Sequence, residues 1–457
     1  MKKIFTLVFL AAASAVYAEE YATPGTGAAI TPATLATVEA SGVTAQGDGT
    51  YTFASDITVT APDIFTLGDA KTLLLGDGVR VTIKGDCKLT ASADDRLTVT
   101  RATENDAPAG FYIDNETGFQ GQIANIDFHY AQVRNFSETG FNISGCTFTE
   151  ANGKLSSIAA LSLGVSGAEF NITDCTFTDC TVPAIGEGAN AYCAITIEDC
   201  TMVNNNTDNT NKPQINITVG GELPVIIRRC KLTGSGLDKV GGIAVGNLLS
   251  APGANKVIIE DCEITEHRYG LTGVGAMNLE IRNNRFVNNN HETNAMNGGS
   301  GISLAGYNYG LNAVISGNYI ENSLWGITLI QCSDVNLGQV DNADSPGGNT
   351  FKDNGNGGTP YDLYNNGANT VYAQLNTWSV PEQTADEIEK VIFHKADNSS
   401  LGEVIFMPAA DGAGIDDITA DTDTQAVYYN LQGVKTDNPA GGVFIQVRDG
   451  KAVKVVK

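Results

Sequence analysis

Seven segments of this chain repeat one pattern. FNISGCTF, FNITDCTF, AITIEDCTM, VIIRRCKL, VIIEDCEI, LEIRNNRF and AVISGNYI all read apolar-x-Ile-x-x-(Cys or Asn)-x-apolar, with slight variation at the first position. The Cys/Asn slot falls at Cys146, Cys175, Cys200, Cys230, Cys262, Asn284 and Asn318, and again at Asn349. Successive slots lie 29, 25, 30, 32, 22, 34 and 31 residues apart, so strands recur while the loops between them vary. A second strand signal follows each slot: AALSL, INITV, GGIAV, GLTG, GISL, GITL and finally YDLY, alternating with period two. No helical periodicity separates them. Short strands, tight Gly/Asn/Asp turns and a period near 30 predict an all-β chain wound as a right-handed parallel β-helix of about 10–12 coils. One coil cannot bury its own apolar face. Many coils, stacked at the usual ~4.8 Å strand spacing, can.

The repeat also explains the cysteines. Nine thiols in an exported chain would ordinarily suggest disulfides. Five of them share one slot in successive coils, where side chains stack with parallel Cα–Cβ vectors, whereas a disulfide needs Cβ atoms that incline together. A ladder of buried thiols, interchangeable with Asn, is the reading adopted. One or two bridges among Cys175, Cys180, Cys193 and Cys200 are the alternative.

The ends differ from the middle. MKKIFTLVFLAAASAVYA, residues 1–18, has a basic start, an apolar centre and a small residue at Ala18, the marks of a secretory leader cut before Glu19. No Cys follows the cut to carry a lipid anchor. Residues 19–44 are expected to form an N-terminal arm or cap, and 45–410 the β-helix with its C-terminal cap. Within that cap Ile388, Val391 and Ile392 are spaced for one face of a short helix covering the open strand edge, and His394 is assigned a structural role. An acidic linker is expected over 411–424 and a small β-rich module over 425–457.

The repeat, its Cys/Asn ladder and the GIxL strands resemble the pectin-lyase-like superfamily of right-handed parallel β-helix proteins. The tail with YNLQG, GGVFI and DGKAVKVVK is similar to the C-terminal sorting domains of type IX secretion cargo. These resemblances imply an exported protein, extracellular or on the outer cell surface. They license no chemistry, because a fold hosts many functions. A formal charge of −25 lacks the Lys/Arg surplus that neutralises phosphates, so no nucleic-acid partner is expected. No internal apolar run is long enough to span a membrane, and a monomer is expected.

The outward face of the GIxL strands is expected to run Ser162, Asn216, Ala244, Thr272, Ser303, Thr328 and Asp362. A β-eliminating lyase must neutralise a uronate carboxylate and abstract the neighbouring proton. That takes a Ca²⁺ cage, or Arg plus a base; a glycosidase needs two carboxylates across the scissile bond. The pectate-lyase segments WiDH and RxPxxR and the polygalacturonase set NTD, DD, GHG and RIK are absent. The best remaining cluster precedes the strand, where His267, Arg268 and Tyr269 are in register with Ser323, Leu324 and Trp325. A loop between those coils carries His291 and Glu292, and Tyr307 and Tyr309 follow. Aromatic faces stack on sugar rings, and Arg can hold a carboxylate in two hydrogen bonds. The candidates are therefore His267, Arg268 and His291 for catalysis, and Tyr269, Glu292, Tyr307, Tyr309 and Trp325 for substrate binding. No metal or cofactor is assigned, with Ca²⁺ at Asp341, Asp344 and Asp353 as the alternative. The expected function is a non-catalytic carbohydrate-binding or structural module whose partner is a polysaccharide or cell-surface glycan. A polysaccharide lyase or glycoside hydrolase with a site near His267, Arg268 and His291 is the first alternative, and an adhesin or scaffold with a protein partner the second.

Overall fold

The computed structural model describes residues 20–115, 117–118, 121–189, 191–292 and 294–410, and within the tail residues 427–429, 435–436, 443–448 and 451–456. The expected leader 1–18 and acidic linker 411–424 lie outside the described residues. The chain divides into two compact units, Met1–Ala410 and Asp411–Lys457.

The first unit is a right-handed parallel β-helix of three long sheets, with 14, 14 and 13 strands. Sheet I contains Leu271–Gly275, Ser300–Ala305 and Trp325–Ile330; sheet II contains Met277–Arg282 and Leu311–Ser316; sheet III contains Arg285–Val287 and Tyr319–Glu321. The stack exceeds the expected 10–12 coils because both ends donate strands to it. Tyr21–Ala22 pairs with Ile57–Val59 and Ala29–Ile30 with Ile64–Thr66, so residues 20–44 are a cap built into the sheets and not a loose arm. The short helix Pro32–Ala36 sits there, started by a reciprocal Thr31/Thr34 capping box and Pro at its first turn, with Leu35 buried. At the other end Ala385–Ile388 is helical, but Ile392 leaves the expected helix and pairs as a strand with Leu363. His394 is wired into this cap: its Nε2 meets Glu389 at 2.9 Å and its Nδ1 accepts the Val404 amide at 2.8 Å. The tail strands form a separate four-stranded antiparallel sheet.

Equivalent slots become vertical columns. Ile143, Ile172, Ile197, Ile227, Ile259, Ile281 and Ile315 are in register on sheet II and completely buried. The Cys/Asn slot follows one residue held in the left-handed region, at Asp174, Asp199, Arg229, Asp261 and Asn283, which turns the chain from sheet II into sheet III. Cys262 Sγ donates to the Ile227 carbonyl, one coil back, at 3.7 Å, and Asn284 Nδ2 makes the equivalent bond to Ile259 at 2.9 Å. The Asn Oδ1 then accepts the main-chain N–H of its neighbour in the ladder, as Asn284 does from Cys262 at 2.9 Å. Thiol and amide are interchangeable because both satisfy the same carbonyl. The ladder continues through Asn349 to Asn376.

All nine cysteines are free and buried. Burial pushes the Cys180 thiol up to about 12 and raises Cys87 and Cys193 further. Native protein should therefore react negligibly with an aromatic disulfide reagent, and all nine thiols should titrate on unfolding without reductant. A lower titre would mean cross-links; rapid native reaction would mean an open ladder.

Candidate functional site

The outward face of sheet I is a groove. Its central column, fixed by strand register, runs Asn216, Ala244, Thr272, Ser303, Thr328 and Tyr364. Two corrections to the expected row follow. Gly186 intervenes between Ser162 and Asn216, and Tyr364, not Asp362, completes it. Leu363 pairs with Ile327, so YDLY is shifted by two residues against GITL and Asp362 falls at the inward position opposite Gly326. There Asp362 is fully buried, accepting from Asn354 Nδ2 and the Ser379 amide, and burial pushes its carboxyl up to about 7. Ser162 is also buried; its hydroxyl donates to Ser156 Oγ and the Ala159 carbonyl.

Beside the central column, the same register aligns Tyr269, Ser300, Trp325 and Tyr361 in a second one. Trp325 lies 4.6 Å from Tyr361 and 5.0 Å from Tyr364, ring centre to ring centre, and its indole N–H donates to the Ala295 carbonyl at 2.7 Å. A cavity of about 280 Å³ opens between Tyr269, Trp325, Tyr364 and the 295–298 loop. A second, of about 460 Å³, is lined by Glu187, Lys212, Asn216, Leu248 and Leu249, and the two share Thr272. Burial raises Tyr364 and pushes the Tyr269 phenol up to about 12, so both keep their protons and serve as hydroxyl donors. Glu187 accepts the Cys193 and Thr218 amides, yet burial outweighs these bonds and pushes its carboxyl up to about 8. Lys212 Nζ donates to the Ser157 carbonyl at 2.6 Å.

The structure does assemble the cluster expected around His267. The His291 amide donates to the His267 carbonyl at 3.3 Å, and Arg268 Nε meets Glu292 at 3.2 Å. It wires that cluster as scaffold, however. His267 is buried, held neutral by burial with its value pushed down to about 3, and its Nε2 accepts from the Gln214 amide at 2.7 Å. Its accepting nitrogen is thus already occupied inside the coil, which removes it as a base for any substrate. Arg268 also donates to Asn211 and to the Asn297 carbonyl, bracing the loop that walls the first cavity, with Glu292 as its counter-ion. His291 is paired with Glu266 at 2.9 Å and lines neither cavity. Tyr307 and Tyr309 are exposed on the turn from sheet I to sheet II, outside the groove. Of the expected binding residues, Tyr269 and Trp325 face the groove. Among the described residues no three His, Cys, Asp or Glu side chains converge as a metal site, so Asp341, Asp344 and Asp353 form no such cluster.

The chain's fold is similar to that of the periplasmic alginate epimerase AlgG. The identity is 15%, each chain is 83% covered and the TM-score is 0.47; a double mutant of that enzyme gives the same identity and TM-score. No protein-family model and no curated protein matches. At this identity the likeness concerns the β-helix alone. The expectation of a non-catalytic module finds no support here: the solved structures of similar fold are those of an enzyme, and the likeness itself is one of fold. Missing pectate-lyase and polygalacturonase segments exclude those two motif sets, not catalysis on this fold. No described helix is long and apolar enough to cross a membrane.

Tyr361, Tyr364, Glu187 and Lys212 were not singled out from the sequence. Tyr364 was recoverable, since aligning Leu363 with the Ile of GITL, and not with its Leu, brings it into the column. Glu187 ends the strand Ile185–Glu187, in register with Leu163, and Lys212 lies on a loop whose approach to the groove no repeat alignment contains.

Proposed function

We propose that this chain is an exported enzyme acting on a polysaccharide, bound along the outward groove of sheet I. The observation that carries the reading is the groove itself: two cavities that share Thr272 along one strand column, the first flanked by Tyr269, Trp325 and Tyr364. The rungs repeat at ~4.8 Å, close to the length of one sugar in an extended polymer, so successive sugars meet equivalent slots. Aromatic rings offer faces to the apolar side of sugars, and the hydroxyls of Thr272, Ser303 and Thr328 offer bonds to their edges. Proton transfer falls to the ionisable groups the groove contains: Glu187 and Lys212 in the second cavity, and the phenols of Tyr269 and Tyr364 in the first. Export rests on the leader-like residues 1–18, and delivery to the cell surface on the sorting-like tail.

The test is turnover of a polysaccharide panel, read as new reducing ends, as ultraviolet-absorbing unsaturated products and as changed sugar stereochemistry by NMR. Wild type should convert at least one polymer. Trp325→Ala should lower kcat/KM by about tenfold or more, the worth of one lost stacking contact, with the melting curve monitored alongside. No product from any polymer, or a Trp325→Ala variant as active as wild type, would remove the reading.

A further inference from the structure

We infer that the groove takes an electroneutral glycan and not a polyuronate, an inference that rests on the function proposed above. Across the four coils from Thr272 to Tyr364, the outward positions of sheet I carry no charge. The flanking column is Tyr269, Ser300, Trp325 and Tyr361, the central one Thr272, Ser303, Thr328 and Tyr364, and the third Val274, Ala305, Ile330 and Asn366. This does not reflect the composition of these coils. On the other two faces, outward positions in the same stretch carry Glu280, Arg282, Asp334, Arg285, Glu321 and Lys352. Over these four coils charge is plentiful on two sides of the solenoid and missing from the third.

The arginines nearest the groove are already committed, and Lys212 lies in the second cavity, outside these four coils. Arg268 is ion-paired to Glu292 with both side chains largely covered, 14% and 11% exposed, and its remaining donors hold Asn211 and Asn297. Lys212 is bonded to the Ser157 carbonyl and shares its cavity with Glu187. Arg134, further down the central column, lies flat on Phe136 and Tyr112, three rungs before Asn216. A polyuronate would bring one carboxylate per sugar onto this face. Each would lose water without gaining a counter-charge, against the field of a chain of formal charge −25. A neutral polymer meets no such cost, and its hydroxyls and apolar ring faces match what the groove offers.

The experiment is affinity electrophoresis in gels holding neutral polymers (a β-glucan, a xylan, a mannan) or polyuronates (alginate, polygalacturonate), at low and high salt. It is run with wild type, Trp325→Ala and Ser303→Arg. Wild type should be retarded by at least one neutral polymer, independently of salt, and at least tenfold less by either polyuronate. Ser303→Arg, which adds an unpaired cation to the column, should gain polyuronate retention that fades with salt. If wild type binds a polyuronate tightly and Trp325→Ala abolishes it, the inference of neutrality falls while the groove and the proposed function stand. If no polymer of either kind is retained, the proposed function falls and takes this inference with it.

Discussion

Replacing Phe148 with alanine is expected to lower the unfolding free energy by about 3–5 kcal/mol. Phe148 is completely buried between Phe128 and Phe177, with centroid distances of 4.8 Å to each and interplanar angles of 15° and 4°. Strand register holds these rings over one another, so the coils on either side cannot collapse into the space without breaking their ladders of hydrogen bonds. A solenoid is held together by nearest-neighbour contacts, so one weakened interface can also split a single denaturant transition into two. The check is chemical denaturation followed by tryptophan fluorescence and circular dichroism together. A loss below about 1 kcal/mol would mean that the aromatic stack contributes far less than its burial implies.

The second large effect is a fall in stability on the alkaline side. Glu187 and Asp362 are buried carboxyls whose folded-state values, about 8 and about 7, exceed the reference values of 4.5 and 3.8. Desolvation is the leading cause for both. A group with a raised folded-state value contributes stability that is fully present below its unfolded value, and it loses that stability as pH rises through the folded one. The two together amount to several kcal/mol, so the melting temperature should drop by several degrees between pH 6 and pH 9. Glu187→Gln and Asp362→Asn remove the titrations. Each costs part of a hydrogen-bond pair at pH 6, to the Thr218 or Cys193 amide in one case and the Ser379 amide or Asn354 in the other, but flattens the slope. A melting temperature level or rising between pH 6 and pH 9 would show that these carboxyls are ionised in the folded protein.

The slot containing Cys175, Cys262 and Asn284 was readable because each of these occupants satisfies a carbonyl one coil back, a local requirement that recurs from turn to turn. The alignment of Tyr269 with Trp325 was readable for a similar reason, as both precede a Gly-led strand at the same distance from the slot. Asp362 was misplaced where the repeat degenerates into YDLY, since alternation specifies that residues point in and out but not which frame a worn repeat keeps. Residue type gives no measure of burial, so the amino-acid order offers His267 as a candidate base. Only the packed coil shows its ring bonded to Gln214, 53 residues earlier.

What the amino-acid order settled by itself is the winding: a period of about 30 residues, with one apolar stripe per strand and one Cys/Asn slot per turn, leaves little other way for the chain to bury its surface. What the tertiary structure decided is the site. Loops of unequal length bring Lys212 and the 295–298 segment to the face where Glu187 ends its strand. Over the four coils from Thr272 to Tyr364, stacking three strands per coil sorts charged residues onto two faces and leaves the third bare. Those outcomes depend on contacts between residues far apart in the chain, for which local periodicity carries no signal.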